Sequence, residues 1–268
     1  MGGVRVRAVV GVLALCLLTA GCLGPLSDTN PEEAESELTG DYSADEFDTL
    51  LSGATTANEE LDSFSFDMSM EMSGAGEQIT MDASGVTDLA AEEMKMDFDM
   101  SGMGMVGPSD FVMYIDGQDA FMNVDGEWVQ MPADQANQNV WDVEGQLAIA
   151  DAQYEHGDVH VDAGSDIIEV TTTLDSDEMA AFIDEAESAD PTVADAGSVE
   201  WRDVEIVERF DAESNHLRST EMTAEMVQGD QAVEYTFEMQ IDDIDEEFDT
   251  TVPDEGREEA ETTSGSTI

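Results

Sequence analysis

The sequence predicts an α+β fold, mainly antiparallel β, with about eight to ten strands and two or three helices. Three observations carry this. Apolar and polar residues alternate over long runs, as in "FSFDMSMEM" (64–72), "MKMDFDM" (94–100) and "AVEYTFEMQID" (232–242). Two Asp-Gly steps, Asp116–Gly117 and Asp125–Gly126, punctuate another alternating stretch, 111–131, and mark hairpin turns. Only 43–61 and 175–187 carry long apolar stripes at helical spacing, so they are the segments able to cover an apolar sheet face.

Taken in order, the chain opens on Arg5 and Arg7, then the apolar run Ala8 to Ala20, then Gly21 and Cys22. The run is about 20 Å long as a helix, short of the roughly 30 Å hydrocarbon layer. A basic start, a short apolar centre and small residues before a cut site describe a signal peptide over 1–21. Arg5 and Arg7 are not adjacent, so a twin-arginine signal is not indicated, and "MGGVRV" lacks the hydroxyl residue needed for myristoylation. "TAGC" resembles the lipobox of prokaryotic lipoproteins, with Thr19 where that family favours Leu. The resemblance implies lipidation of Cys22 and a protein held on the extracytoplasmic face of the cell membrane.

Residues 22–42 are polar, carry Pro25 and Pro31, and read as a flexible acidic tether. The tail 254–268 reads as a disordered acidic segment. Residues 43–253 make one domain. Ser43 with Glu46 forms a capping box ahead of Phe47, Leu50, Leu51, Ala54 and Leu61. Strands follow at 64–72 and 94–100, then a three-stranded meander over 111–131. Residues 133–153 leave the choice between loop and helix open. "DVHVD" and "DIIEVTTTL" are two more strands. Asp175 and Glu178 open a helix through Met179, Phe182, Ile183 and Ala186. "SVEWRDVEIVERFD", "LRSTEMTAEM" and "AVEYTFEMQID" complete the sheet.

Charge limits the partners. The chain has 65 acidic and 7 basic residues, a formal net charge of −58. Removal of the signal takes away Arg5 and Arg7 and no acid. Self-repulsion of that size opposes compaction in dilute buffer, and molar salt screens it to about 3 Å. Scarce lysine with abundant Asp and Glu resembles the proteins of halophilic archaea. The acidity then answers to the solvent, and nucleic acid is excluded as a partner. With Cys16 in the signal, only Cys22 remains, which excludes an internal disulfide or a cysteine zinc site.

No G-x-S-x-G elbow, Walker loop, dinucleotide fingerprint or EF-hand occurs. The expectation is a non-enzyme with no cofactor. His156, Asp158, His160 and Asp162 share one face if "HGDVHVD" is a strand. That face either holds a divalent metal or is simply solvated, and the spacing favours the solvated one.

Methionine is the compositional oddity, with 17 in the chain. Its flexible, polarizable side chain suits surfaces that accept variable apolar shapes, and equally fills irregular cores. The expected lining of an apolar cavity is Phe64, Phe66, Met68, Met70, Met72, Met94, Met96, Phe98, Met100, Tyr235, Phe237 and Met239.

The order of elements is similar to the half-barrel lipoproteins of the LolA and LppX/LprG type. The likeness covers about 43–253 and rests on the first helix, "VDGEW" in the meander, "EVTTTLDSDEMAAFIDEA" and the late hairpin "ERFDAESNHLRS". It implies a curved half-barrel sheet whose concave face, lidded by helices, holds lipid or acyl chains. A chain anchored through Cys22 resembles the LppX/LprG branch more than a soluble shuttle. The competing expectation is a surface structural or interaction lipoprotein with a filled core and no ligand. A surface-protein partner stays open.

Overall fold

The computed structural model describes residues 38–74, 77–102, 109–124, 126–132, 153–189, 199–228 and 231–264. The expected signal, Cys22, most of the expected tether, Trp141 and nearly all of the ambiguous 133–153 stretch lie outside the described residues. The strands among them are β1 (Leu38–Gly40), β2 (Ser63–Gly74), β3 (Glu77–Asp88), β4 (Glu93–Ser101), β5 (Ser109–Asp116), β6 (Asp119–Val124), β7 (Glu127–Pro132), β8 (Asp158–Ala163), β9 (Ile167–Leu174), β10 (Glu200–Asp211), β11 (Leu217–Gln228) and β12 (Gln231–Asp242). The helices are α1 (Ala44–Glu59), α2 (Ser176–Ala189) and α3 (Asp254–Ser264), with one further helical turn at 153–156. The mainly antiparallel α+β expectation therefore holds. Two strands more than the upper expectation and an extra helix are the differences.

The described residues fall into two compact units. One takes in 38–60, 72–74, 153–189, 199–228 and 231–239, and the other 61–71, 77–102, 109–124, 126–132 and 240–264.

In the first unit the strand order is β1-β8-β9-β10-β11-β12. β1 pairs in parallel with β8, Leu38 opposite Val159 and Gly40 opposite Val161. This corrects the tether reading at its C-terminal end. The segment carries only three ladder residues, too short for an alternation to show. Gly40 has φ +100°, and a Cβ there would lie 2.2 Å from the Val161 carbonyl oxygen. Only glycine fits that approach.

α1 starts at the anticipated box. The Ser43 amide and hydroxyl both donate to Glu46 Oε2, at 3.0 and 2.7 Å. Those bonds hold the Glu46 carboxyl below its usual range. Phe47, Leu50, Leu51 and Ala54 are buried, and the helix ends two residues short of Leu61. At α2, Asp175 Oδ1 accepts from the Asp177 and Glu178 amides at 2.8 and 3.0 Å. Glu178 returns the bond to the Asp175 amide at 2.7 Å. Met179, Phe182 and Ile183 are buried where α2 packs on β9 and β10. In β10, Trp201 and Val204 are both buried although they are out of phase. A bulge between Arg202 and Glu205, with Asp203 at φ +49°, resets the alternation.

In the second unit the order is β2-β3-β4-β5-β6-β7. The meander runs as expected, with Gly117 at φ +58° and Gly126 at φ +85° in its two turns. β3 was not anticipated. Its inward residues are Met81, Ala83, Gly85 and Thr87, so large apolar side chains do not alternate there. The small residues have a reason. A Cβ on Gly85 would lie 2.5 Å from Phe66 Cζ and 2.7 Å from the Lys95 carbonyl oxygen. Gly85→Val is expected to destabilise the chain by about 1–3 kcal/mol through overpacking. Chemical denaturation in molar salt, compared with Gly85→Ala as the milder clash, checks this.

α3 corrects the disordered-tail reading for Asp254–Ser264. Its inner face carries no large hydrophobic residue, which is why composition hides it. Gly256 sits against the Trp128 ring, where a Cβ would come within 3.0 Å. Ala260 and Val252 are buried against Phe121, with Tyr114 and Trp128 packed around them. The Arg257 guanidinium stands 5.4 Å from the Phe121 ring centroid and pairs with Asp116. Phe121 and Trp128 are out of phase with Met122 and Val129. Within this unit α3 thus covers the sheet face opposite the methionines.

Candidate functional site

The strand period places the anticipated lining residues of each unit on buried sheet faces. In the second unit, Phe66, Met68 and Met70 on β2 and Met94, Met96 and Phe98 on β4 are all at most 7% exposed. Phe64 and Met100, at the strand ends, are half-buried. Cross-strand register extends the face beyond the anticipated set. Met96 lies opposite Met113, and Met113 opposite Met122, so three methionines stand abreast. Met81 lies opposite Met100. Phe98 stacks on Phe111 with centroids 4.5 Å apart and planes at 12°. Met81 and Met113 share this buried face and were not anticipated there, although the alternation in "FVMYI" was visible.

In the first unit, Tyr235, Phe237 and Met239 on β12 are buried, as is Met72. Met222 and Met226 on β11 are buried too and were not anticipated. Tyr235 meets Trp201 edge to face at 5.8 Å. The buried faces of both units are thus apolar, aromatic and rich in thioether.

The histidine segment is divided between two elements. Asp158, His160 and Asp162 line the exposed face of β8, while His156 sits in the preceding helical turn. His160 Nδ1 is 3.0 Å from Thr39 Oγ1 on β1, and Nε2 is 3.5 Å from Asp162. Among the described residues no group of three His, Cys, Asp or Glu side chains is placed to hold a metal. None of the described helices is long and apolar enough to cross a membrane.

The fold is an α+β protein built on long, mainly antiparallel strands with buried methionine faces. The chain belongs to a family of unknown function, DUF6612, whose model matches residues 46–261. No curated protein matches it. Among solved structures it is similar to LprF from Mycobacterium bovis, at 15% identity and a TM-score of 0.47, over 78% of this chain and 98% of that one. It is also similar to the Mycobacterium tuberculosis lipoprotein LppX, at 9% identity and a TM-score of 0.43, over 78% of this chain and 100% of that one.

Proposed function

We propose that this chain is a non-enzymatic lipoprotein, anchored through lipid on Cys22 to the extracytoplasmic face of the membrane, that binds a hydrophobic ligand such as acyl chains. The observation that carries the reading is the row Met96–Met113–Met122, continued by Met81 and Met100 on the same face. A core selected only for rigidity favours leucine and isoleucine. A face of thioethers adapts to ligands of varied shape. Native mass spectrometry of protein purified in molar salt tests this. The expected result is co-purified lipid, or uptake of an added fatty acid with one-to-one stoichiometry.

A second reading has its own support. Met81, Met96 and Met113 are already at most 6% exposed without a ligand, as a filled core requires, while Met100 and Met122 are half-buried. On that reading the chain is a surface structural or interaction lipoprotein, and neither lipid nor fatty acid is retained.

The anchor is tested separately. Cys22→Ser is expected to move the protein from the membrane fraction to the medium, with at least a tenfold rise in the soluble share. The mass of the N-terminal peptide of wild type should exceed the sum of its residues by that of a lipid. An unmodified Cys22, or a longer N-terminus, overturns the anchor and leaves the ligand question standing.

A further inference from the structure

Glu208 is the one carboxylate among the described residues that is buried in the interior of a sheet, at 4% exposed. It occupies an inward position of β10, between Ile206 and Phe210, opposite Val170 of β9 and Thr220 of β11. The helical turn at 153–156 closes over it. Gln153 Nε2 donates to Glu208 Oε2 at 3.1 Å, and the Tyr154 hydroxyl donates to the same oxygen. The turn is fixed at two further points. Gly157 donates its amide to the Gln153 carbonyl at 3.1 Å, and a Cβ on Gly157 would lie 2.4 Å from the Thr172 methyl carbon. On its far side Tyr154 meets Phe47 of α1 edge to face at 5.4 Å. Tyr154 therefore links α1 to the sheet, with its ring on Phe47 and its hydroxyl on the Glu208 carboxyl group.

We propose that the turn at 153–157 is a proton-operated latch, held on the sheet while Glu208 is protonated and loosened when Glu208 ionises. Burial is the leading cause. It raises the Glu208 carboxyl from 4.5 to about 7, and the bonds from Tyr154 and Gln153 offset only part of that. The other titratable groups nearby are Tyr154 itself and Glu155 and His156 in the same turn. Arg209, Glu169 and Glu221 pair with one another on the opposite face of the sheet. No cation therefore faces Glu208 from β9, β10 or β11. An undocked turn would return Glu208 to water and to its ordinary value.

The sign follows from that difference. Between about 4.5 and 7 the docked state holds the proton and the undocked state does not, so docking is strongest in acid. It weakens as pH rises to about 7 and is constant beyond. The docked-to-open ratio falls over that window by roughly 300-fold. Loosening also has something to offer. The Thr172 and Thr220 hydroxyls on this face are fully buried with no hydrogen-bond partner, and entering water would satisfy both.

Hydrogen–deuterium exchange of the full chain in molar salt, corrected for intrinsic rates, tests the latch. Peptides covering 153–160 should lose roughly two orders of magnitude of protection between about pH 5 and pH 8. Glu208→Gln keeps the donors' partner but cannot ionise, so its protection should not vary with pH. Tyr154→Phe removes a bond that favours the ionised form, and should move the midpoint upward. Protection that is independent of pH in wild type, or a Glu208→Gln profile matching wild type, overturns the proposal. Should Glu208→Gln not fold, infrared titration of wild type decides. A protonated carboxyl band fading with a midpoint near 7 supports the latch, and its absence above about pH 5.5 overturns it.

Discussion

Transfer from molar salt to about 0.01 M salt is expected to unfold the protein, with loss of the whole of a stability that is about 5–15 kcal/mol for a domain. The argument rests on placement as well as on totals. Asp82 lies opposite Asp99, and Asp99 opposite Asp110, so three exposed carboxylates stand in one row across β3, β4 and β5. A second row runs through Asp88, Glu93, Asp116 and Asp119 on β3 to β6. Like charges directly opposite on a sheet repel. The counter-charges are already committed. Lys95 pairs with Asp97, Arg202 with Glu200, Arg209 with Glu169 and Glu221, Arg218 with Asp211, and Arg257 with Asp116. The second row has help from Arg257 and from Thr250, whose hydroxyl donates to Glu93 at 2.5 Å. The first row has none among the described residues, so dissolved cations must do that work. The Debye length of about 3 Å at 1 M grows to about 30 Å at 0.01 M, and every carboxylate then senses many others. Circular dichroism across a salt series checks the collapse. Asp99→Lys, which converts two repulsive pairs into attractive ones, should lower the salt needed for half-folding. A chain that keeps its full ellipticity in dilute buffer would contradict the expectation.

The parts of the fold that were legible are those where side-chain size alternates as strongly as polarity. β2, β4 and β12 put Phe, Met, Tyr or Ile at every second position, and both helix starts carry a carboxylate at the right offset from the cap. β3 was not legible because its inner face is Met81, Ala83, Gly85 and Thr87, shaped by the Phe66 ring rather than by a period of its own. α3 was hidden for a related reason: its packing surface is Gly256, Ala260 and the stem of Arg257, set against aromatic residues more than a hundred positions away. β1 is pinned by a ladder to β8 that local sequence cannot announce. For the apolar face, period two placed the chosen residues of each strand together on its buried side, with Phe64 and Met100 half-buried at the strand ends. What it could not give was the register that puts Met96, Met113 and Met122 side by side. Glu208 was equally visible as an inward position of "VEIVERF". A charge in an apolar slot is meaningful only once a Tyr and a Gln from a distant turn are seen to reach it.

Phe237→Ala is expected to cost about 3–5 kcal/mol, because it empties the space of a ring with no solvent exposure. Met96→Ala, also buried, should cost about 2–5 kcal/mol. The informative companion is Met96→Leu, a volume-conserving change worth less than about 1.5 kcal/mol whichever role the face has. These three variants separate a filled core from a carrier when thermal melts are repeated with a fatty acid present. A ligand that binds only the native state adds stability as RT ln(1 + [L]/Kd), about 2.7 kcal/mol at a hundredfold excess over Kd. On the carrier reading wild type gains that increment, and Met96→Leu gains less for bulky or branched chains, since leucine conforms less readily than methionine. On the filled-core reading wild type gains nothing. Phe237→Ala then becomes the more responsive protein, because the space left by the ring is the first that an acyl chain can enter. The order of the ligand-induced shifts between wild type and Phe237→Ala therefore reads out which role the buried methionines serve, independently of how much stability each substitution removes.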